Sequence, residues 1–273
     1  MPDEASYEIY AFRYAHQRER SARANLLAFD VHDGPMPIDY FFWLISGHGH
    51  NILVDTGFDA HEAKARHRQL IIEPAEALRR YGLAPEAIDH VVLTHLHYDH
   101  AGTTHHFPNA LFHLQDREMA YATGRNMLHA QQRHAFNVDH VAQVVGHVYK
   151  ERVRFHDGDA QLADGVSLHL IGGHTAGLQS VRVRTKRGWV VLASDAAHFY
   201  ANIRRRIPFP IVLDVGDMLE GWHKLEALAS SPDHVVPGHD PLVRELYPAL
   251  PIEGLEVYAL HEPPNRALTR DEL

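Results

Sequence analysis

The chain has no cysteine among its 273 residues, which excludes disulfide staples, thiolate metal ligands and a cysteine nucleophile. Any metal it holds is held through nitrogen and oxygen. No apolar run approaches the roughly 18 residues that a membrane span needs. The opening Met1-Pro2-Asp3-Glu4-Ala5-Ser6 lacks the basic and then apolar layout of a secretory signal, so the expectation is a cytoplasmic protein with no membrane partner. Basic residues are in deficit: 26 Lys and Arg against 35 Asp and Glu leave a formal charge of −9. That argues against a nucleic-acid partner, because a phosphate backbone calls for clustered cations. Repeats, low-complexity tracts and linkers rich in Gly, Ser or Pro are also missing, so residues 1–273 are expected to form one domain.

What is present is 45 % hydrophobic content, enough to bury a sizeable core. Tyr7 to Tyr14 alternates weakly. Tyr40-Phe41-Phe42-Trp43-Leu44-Ile45 ends at Ser46-Gly47-His48-Gly49-His50 and is followed by Asn51-Ile52-Leu53-Val54-Asp55, the pattern of a hairpin. Pro74 to Tyr81 has a proline start, good helix formers, a basic last turn and Gly82 where a left-handed cap belongs, which predicts a helix. Ala87 to Leu93 reads as a buried strand. Further strands are predicted at Val153 to Phe155, Val166 to Leu170, Val181 to Thr185, Trp189 to Ala193 and His234 to Val236, with a helix over Gly216 to Ser230. Residues at about 116–150 read as interrupted helices forming an insertion or cap. Strands alternating with helices define an α/β layered fold with the functional residues at strand ends along one sheet edge.

Histidine is in excess, at 25 residues, and its densest cluster is Thr94-His95-Leu96-His97-Tyr98-Asp99-His100-Ala101-Gly102. Imidazole nitrogen and carboxylate oxygen suit zinc and similar divalent ions. Residues i and i+2 share a face only on extended backbone, so His95 and His97 can grip one metal if the chain stays extended past the strand. Asp99 and His100 are adjacent and project differently, so a bend eased by Gly102 would aim them at a second metal. His174 follows Gly172-Gly173 and completes the first site. Asp195, with two oxygens, can bridge both, and His239 completes the second. A shared hydroxide would finish the coordination of each ion. Arg204-Arg205-Arg206 reads as a solvated run or as a steering patch for an anion, and Phe199, Ile207, Phe209 and Ile211 as pocket lining or core.

His95-Leu96-His97-Tyr98-Asp99-His100, Gly172-Gly173-His174, Ser194-Asp195 and Pro237-Gly238-His239 together resemble the metallo-β-lactamase superfamily over roughly Tyr40 to His239. The resemblance implies an αβ/βα four-layer sandwich, the fold of a single metallo-hydrolase domain, with two divalent ions per chain, zinc foremost, at one edge. Val54-Asp55-Thr56-Gly57 is similar to the superfamily's early Asp motif, which implies that Asp55 orients a ligand histidine instead of binding metal. Within the superfamily the chain looks most like the N-acyl-homoserine lactonase and pyridoxolactone hydrolase branch. It has the Asp-His pair and the bridging Asp, and residues 240–273 leave no room for the large C-terminal helical domain of glyoxalase II.

The implied reaction is opening of a lactone ring by a metal-bridging hydroxide, with quorum quenching as its consequence. A glyoxalase II-like thioesterase or another ester or amide metallo-hydrolase is the alternative. In the homoserine lactonases a tyrosine three residues after the bridging Asp bonds the lactone; here that position is His198 and the nearest tyrosine is Tyr200. In that reaction Asp99, or Asp195, is expected to return a proton to the leaving group and His198 or Tyr200 to donate to the oxyanion. The expected partner is a small lactone or related ester, bound by a monomer or homodimer.

Overall fold

The computed structural model describes residues 6–28, 33–269 and 272; the reading of Met1 to Ala5 as a non-secretory start lies outside them. In chain order the elements are β1 (Glu8–Gln17), β2 (Ile38–Gly47), β3 (His50–Val54), α1 (Ala60–Ala65), β4 (Gln69–Leu70), α2 (Pro74–Tyr81), β5 (His90–Val92), β6 (Leu111–Gln115), α3 (Asp116–Ala122), α4 (Ala130–Arg133) and α5 (Val138–Tyr149). They continue with β7 (Val153–His156), β8 (Ala160–Ala163), β9 (Val166–Leu170), β10 (Gln179–Thr185), β11 (Gly188–Ser194), α6 (Tyr200–Arg205), α7 (Val215–Leu228), β12 (Val235–Pro237), α8 (Leu242–Leu246) and β13 (Val257–Ala259).

Two sheets result. The first runs β13-β1-β2-β3-β5-β6-β7 with β4 paired to β1, and the second runs β12-β11-β10-β9-β8. Their facing sides share one apolar core, in which Ile9, Phe41, Trp43, Ile52 and Val92 of the first sheet meet Val166, Leu168, Val181, Val190 and Val236 of the second. The outer face of the first sheet packs on Ala63 of α1, Ala77 and Leu78 of α2 and Val141 and Val144 of α5. The outer face of the second is covered by Met218, Trp222 and Leu225 of α7. The order is helix, sheet, sheet, helix, as the sequence motifs implied.

The β2–β3 hairpin pairs Trp43 with Val54 and Ile45 with Ile52, and α2 spans the predicted residues, closed by Gly82 at φ 99°. β1 is longer than its weak alternation suggested, and eight of its ten residues are buried. It lies between β13 and β2 with apolar layers on both faces, and a strand covered on both sides has no need to alternate. β5 is shorter than predicted, because Pro85–Ala87 turns as 3-10 helix. The segment between 116 and 149 is helical and forms the crossover from β6 to its parallel neighbour β7. No helix among the described residues is long and apolar enough to cross a membrane.

Strand direction positions the site. β3 delivers Asp55, β5 delivers the 94–100 segment, β9 the 172–174 turn, β11 Asp195 and β12 His239. All five strands end at the same edge of the sandwich.

Candidate metal centre

The 94–100 segment alternates as extended chain should. Leu96 is wholly buried in the helix-side core, which turns His95 and His97 together to the opposite side. His97 then pairs across an isolated bridge with Phe136, and the amides of His100 and Ala101 both bond the His97 carbonyl at 3.1 Å, bending the chain. Gly102 serves this bend by close approach: its amide bonds the Gly57 carbonyl at 2.9 Å, and a Cβ there would meet that oxygen at 2.6 Å and the Tyr98 carbonyl at 2.7 Å.

Seven donors converge. His95, His97, His174 and Asp195 form one group whose ligand atoms lie within coordination reach, and Asp99, His100 and His239 form another. Asp195 faces both. Its Oδ2 is 3.2 Å from His174 Nε2 and 3.7 Å from His95 Nε2, while Oδ1 is 2.9 Å from His239 Nε2 and 3.3 Å from His100 Nε2. Asp99 Oδ2 lies 3.7 Å from His100 Nε2 and 3.8 Å from His239 Nε2.

The outward nitrogens decide what this arrangement wants. His174 Nδ1 is 2.7 Å from the Ile211 carbonyl and His239 Nδ1 is 2.8 Å from the Asp39 carbonyl. A carbonyl only accepts, so each Nδ1 carries the proton and, in a neutral ring, each Nε2 is left as a bare lone pair. His100 is fixed in the same sense by Asp55, whose Oδ2 is 2.7 Å from Nδ1. Asp55 is held in turn by the Thr94 amide and hydroxyl, both at 2.8 Å. Three lone pairs therefore point at Asp195 carboxylate oxygens, and both His100 Nε2 and Asp195 Oδ1 are buried without a hydrogen-bond partner. Such groups repel unless a cation lies among them. The N and O donor set suits divalent ions with imidazole affinity, so these residues fit the metals that the sequence motifs implied.

The proton equilibria report the same field. Burial opposes a charge on His100, yet Asp195, Asp99 and Asp55 raise its pKa well above the usual range. Burial likewise opposes a charge on His239, and Asp195 and Asp99 raise it. His95 and His97 go down, chiefly by burial and then by neighbouring histidines. The half of the site rich in carboxylate attracts positive charge and the other half offers neutral imidazole.

A cavity of about 220 Å³ opens onto the donors, with His97, Asp99, His174, Asp195, His198 and His239 in its wall. A larger apolar trough of about 920 Å³ borders it at His134. His198 is in the cavity but committed: its Nε2 is 3.0 Å from Asp195 Oδ2, and its ring stacks on Phe209 at 3.6 Å between centroids. Burial pushes its pKa down to about 3, so the one N–H of the neutral ring goes to Asp195 and none is left for a substrate oxyanion.

Tyr200 corrects the sequence expectation. It is buried in the inter-sheet core and lines a separate crevice with Leu246 and Tyr247. Extended chain would have kept it on the face of His198, but α6 begins at Tyr200 and rotates it away. Arg204 pairs with Asp233 at 2.8 Å and Arg206 with Glu226 at 2.9 Å, so these two cations of the triplet are engaged at the surface. Phe209 and Ile211 do line the cavity, whereas Phe199 belongs to the core.

Sequence reasoning missed Glu118. Its buried carboxylate accepts from the Leu96 amide at 2.9 Å, the Thr175 hydroxyl at 2.6 Å and the Gly177 amide at 3.1 Å, tying the two ligand loops together. A glutamate in the first turn of a short helix carries no sequence mark of that role. Arg20, Arg66 and Arg68, brought to the cavity wall by turns far from the motif, and Tyr40 of β2, which also stands in that wall, were missed too.

Fold and site define a class: a four-layer αβ/βα sandwich that gathers two histidine and carboxylate donor groups at one sheet edge. The family model of the metallo-beta-lactamase superfamily matches residues 37–239, well over half of the chain, and the chain belongs to that superfamily. Curated relatives include an N-acyl homoserine lactonase of Bacillus cereus, 29 % identical over 48 % of each chain. A second, of Azorhizobium caulinodans, is 30 % identical over 60 % of this chain and 62 % of its own. The chain spans about half the length of the curated relatives it matches. Among solved structures, a quorum-quenching N-acyl homoserine lactone lactonase superposes with TM-score 0.73 at 22 % identity, covering 88 % of this chain and 95 % of that one. A dizinc quorum-quenching lactonase superposes with TM-score 0.70 at 15 % identity over 98 % and 97 %. At these identities the structural likeness is one of fold.

Proposed function

We propose that the chain is a metal-dependent hydrolase that opens lactone rings, in the manner for which its curated relatives are named, and that quorum quenching is the biological setting. The observation that carries this reading is Asp195, which turns one oxygen to each histidine group. His95, His97 and His174 would hold one ion, Asp99, His100 and His239 the other, and Asp195 both. Two divalent cations so bound, zinc foremost, would polarise the lactone carbonyl and make water nucleophilic near neutral pH.

The chain's own groups do the rest. Asp55 and the Ile211 and Asp39 carbonyls fix the tautomers that present Nε2 inward. His198, stacked on Phe209, holds the Asp195 carboxylate by its Nε2–H, a positioning role. Asp99 is in the cavity wall, and its carboxylate would hold the proton that the leaving alkoxide takes up. The small cavity limits how much water accompanies the ring.

The test is turnover of N-hexanoyl-homoserine lactone by zinc-loaded protein, beside a glutathione thioester and a penicillin, with metal counted in the same sample. The reading expects two ions per chain and the lactone opened fastest. One ion or none, or preferred turnover of the thioester, would overturn it.

A further inference from the structure

Three guanidiniums, Arg20, Arg66 and Arg68, stand in the wall of the metal-facing cavity, although the chain as a whole carries a formal charge of −9. Arg66 is accounted for structurally. It is paired with Glu62, its Nη1 and Nη2 donate to the His134 and Phe136 carbonyls at 2.7 and 3.1 Å, and it fastens the wall of the cavity.

Arg68 and Arg20 differ. Arg68 donates from Nε to the Tyr98 hydroxyl at 3.1 Å and from Nη1 to the Arg66 carbonyl at 2.7 Å. Its Nη2 has no hydrogen-bond partner among the described residues. Arg20 donates to the Asn25 side-chain oxygen, to Gln17 Oε1 at 3.4 Å and to the Ala24 carbonyl at 2.8 Å, and lies 5.3 Å from the centre of the Phe209 ring that stacks on His198. Every one of these acceptors is neutral. The two guanidiniums are therefore held in position while neither is paired with a carboxylate among the described residues.

The carboxylates that share the cavity wall are Asp99 and Asp195, and both face histidine nitrogens of the donor groups. Filling those groups with divalent ions would offset the two acids and leave the cavity more positive still. Asp99 acts on both guanidiniums through space, yet neither has a carboxylate in direct contact among the described residues. Two such cations side by side repel each other and focus a positive potential into a confined space, which favours an entering anion. A carboxylate is the matching ligand, because its two oxygens accept the paired N–H groups of guanidinium.

We propose that the preferred substrate is a lactone bearing a carboxylate apart from its ring, held by Arg68 and Arg20 while the ring carbonyl faces the donor groups. The proposal rests on the lactone-hydrolase reading alone and departs from the quorum-quenching setting, because an N-acyl-homoserine lactone carries no carboxylate. Water adds to the ring carbonyl, the ring C–O bond breaks, the ring oxygen keeps one proton as an alcohol, and one proton is released as the second carboxylate forms.

The experiment compares 5-oxotetrahydrofuran-2-carboxylate with its neutral carboxamide, which has nearly the same size and ring. With zinc-loaded protein the expected ratio of kcat/KM for carboxylate over carboxamide is above about ten. It should fall as salt is raised, fall towards one in Arg68→Met and Arg20→Met, and be partly kept in Arg68→Lys. Calorimetry at equal metal loading should find the carboxylate bound about ten-fold more weakly by Arg68→Met than by the unmodified chain. A ratio near one in the unmodified chain overturns the proposal and leaves the hydrolase reading standing. Equal affinity in the two proteins overturns it as well. If neither compound is opened but binding still depends on Arg68, the carboxylate site stands and the hydrolase reading fails.

Discussion

Asp55 Oδ2 stands 2.7 Å from His100 Nδ1, with both side chains wholly buried. The contact chooses the tautomer of His100 and so its inward lone pair. Asp55 takes it up from left-handed backbone, at φ 62°, a conformation that non-glycine residues seldom adopt. Replacing Asp55 with Ala should lower metal affinity about ten-fold to hundred-fold, the usual effect of losing a partner of a ligand histidine. It should also strand the Thr94 amide, whereas the Thr94 hydroxyl keeps Ser194 Oγ at 2.9 Å. Competition with a chelator at fixed zinc measures it, and an unchanged affinity would remove Asp55 from the design of the site.

Metal removal should loosen the whole edge, since the Nε2 atoms of His174, His239 and His100 then face the Asp195 oxygens with no divalent ion to bind them together. Stripped protein is expected to melt at lower temperature. Zinc at about a thousand times its dissociation constant should restore about 4 kcal/mol. Calorimetry with and without zinc checks this; identical melting curves would contradict the fit of donors to ions.

Much of this was legible in the sequence because it is local. The alternation of His95, Leu96 and His97 specifies extended chain and a shared face, and glycines beside His174 and His239 mark loops that run close to other chain. Asp195, His174 and His239 each follow a recognisable strand, so their shared edge follows from topology. Tyr200 failed because a helix began one residue after Phe199, and no helix-start signal there outweighs the extended reading. Arg68 and Arg20 were illegible for another reason: each reaches the cavity from a turn whose place depends on tertiary packing, and nothing in their neighbours' sequence sets them apart from surface cations such as Arg204.

Glu118 is the clearest test of a role that only the structure reveals. Glu118→Ala leaves the Leu96 and Gly177 amides and the Thr175 hydroxyl buried without their acceptor, at about 1–3 kcal/mol for each stranded group, partly relieved by water. The expected loss is about 3 kcal/mol, with weaker metal retention because both ligand loops loosen. Glu118→Gln, which keeps the shape and one acceptor oxygen, should lose less. Urea unfolding of zinc-loaded variants measures the difference, and an alanine variant within about 0.5 kcal/mol of the unmodified chain would show that other contacts hold the loops.

Acid should destabilise the fold through histidines outside the two donor groups. His113 links His90 and His156 across neighbouring strands, its Nε2 and Nδ1 each 3.0 Å from a partner nitrogen. Burial, and then the neighbouring histidines and Arg154, push its pKa from 6.5 down to about 3. His147, stacked on Phe112 at 4.6 Å, is pushed down to about 4, again mainly by burial. Between those values and 6.5 the unfolded chain binds protons that the folded chain does not, so stability rises with pH and is lost as pH falls below 6.5. Each such histidine adds up to about 1.4 kcal/mol per pH unit to that slope. Urea midpoints from pH 7 to pH 5 should fall for the unmodified chain and fall less steeply for His113→Gln, which has no proton to take up. Equal slopes would mean that the His113 ring is already protonated in the folded state, against its burial between two other imidazoles.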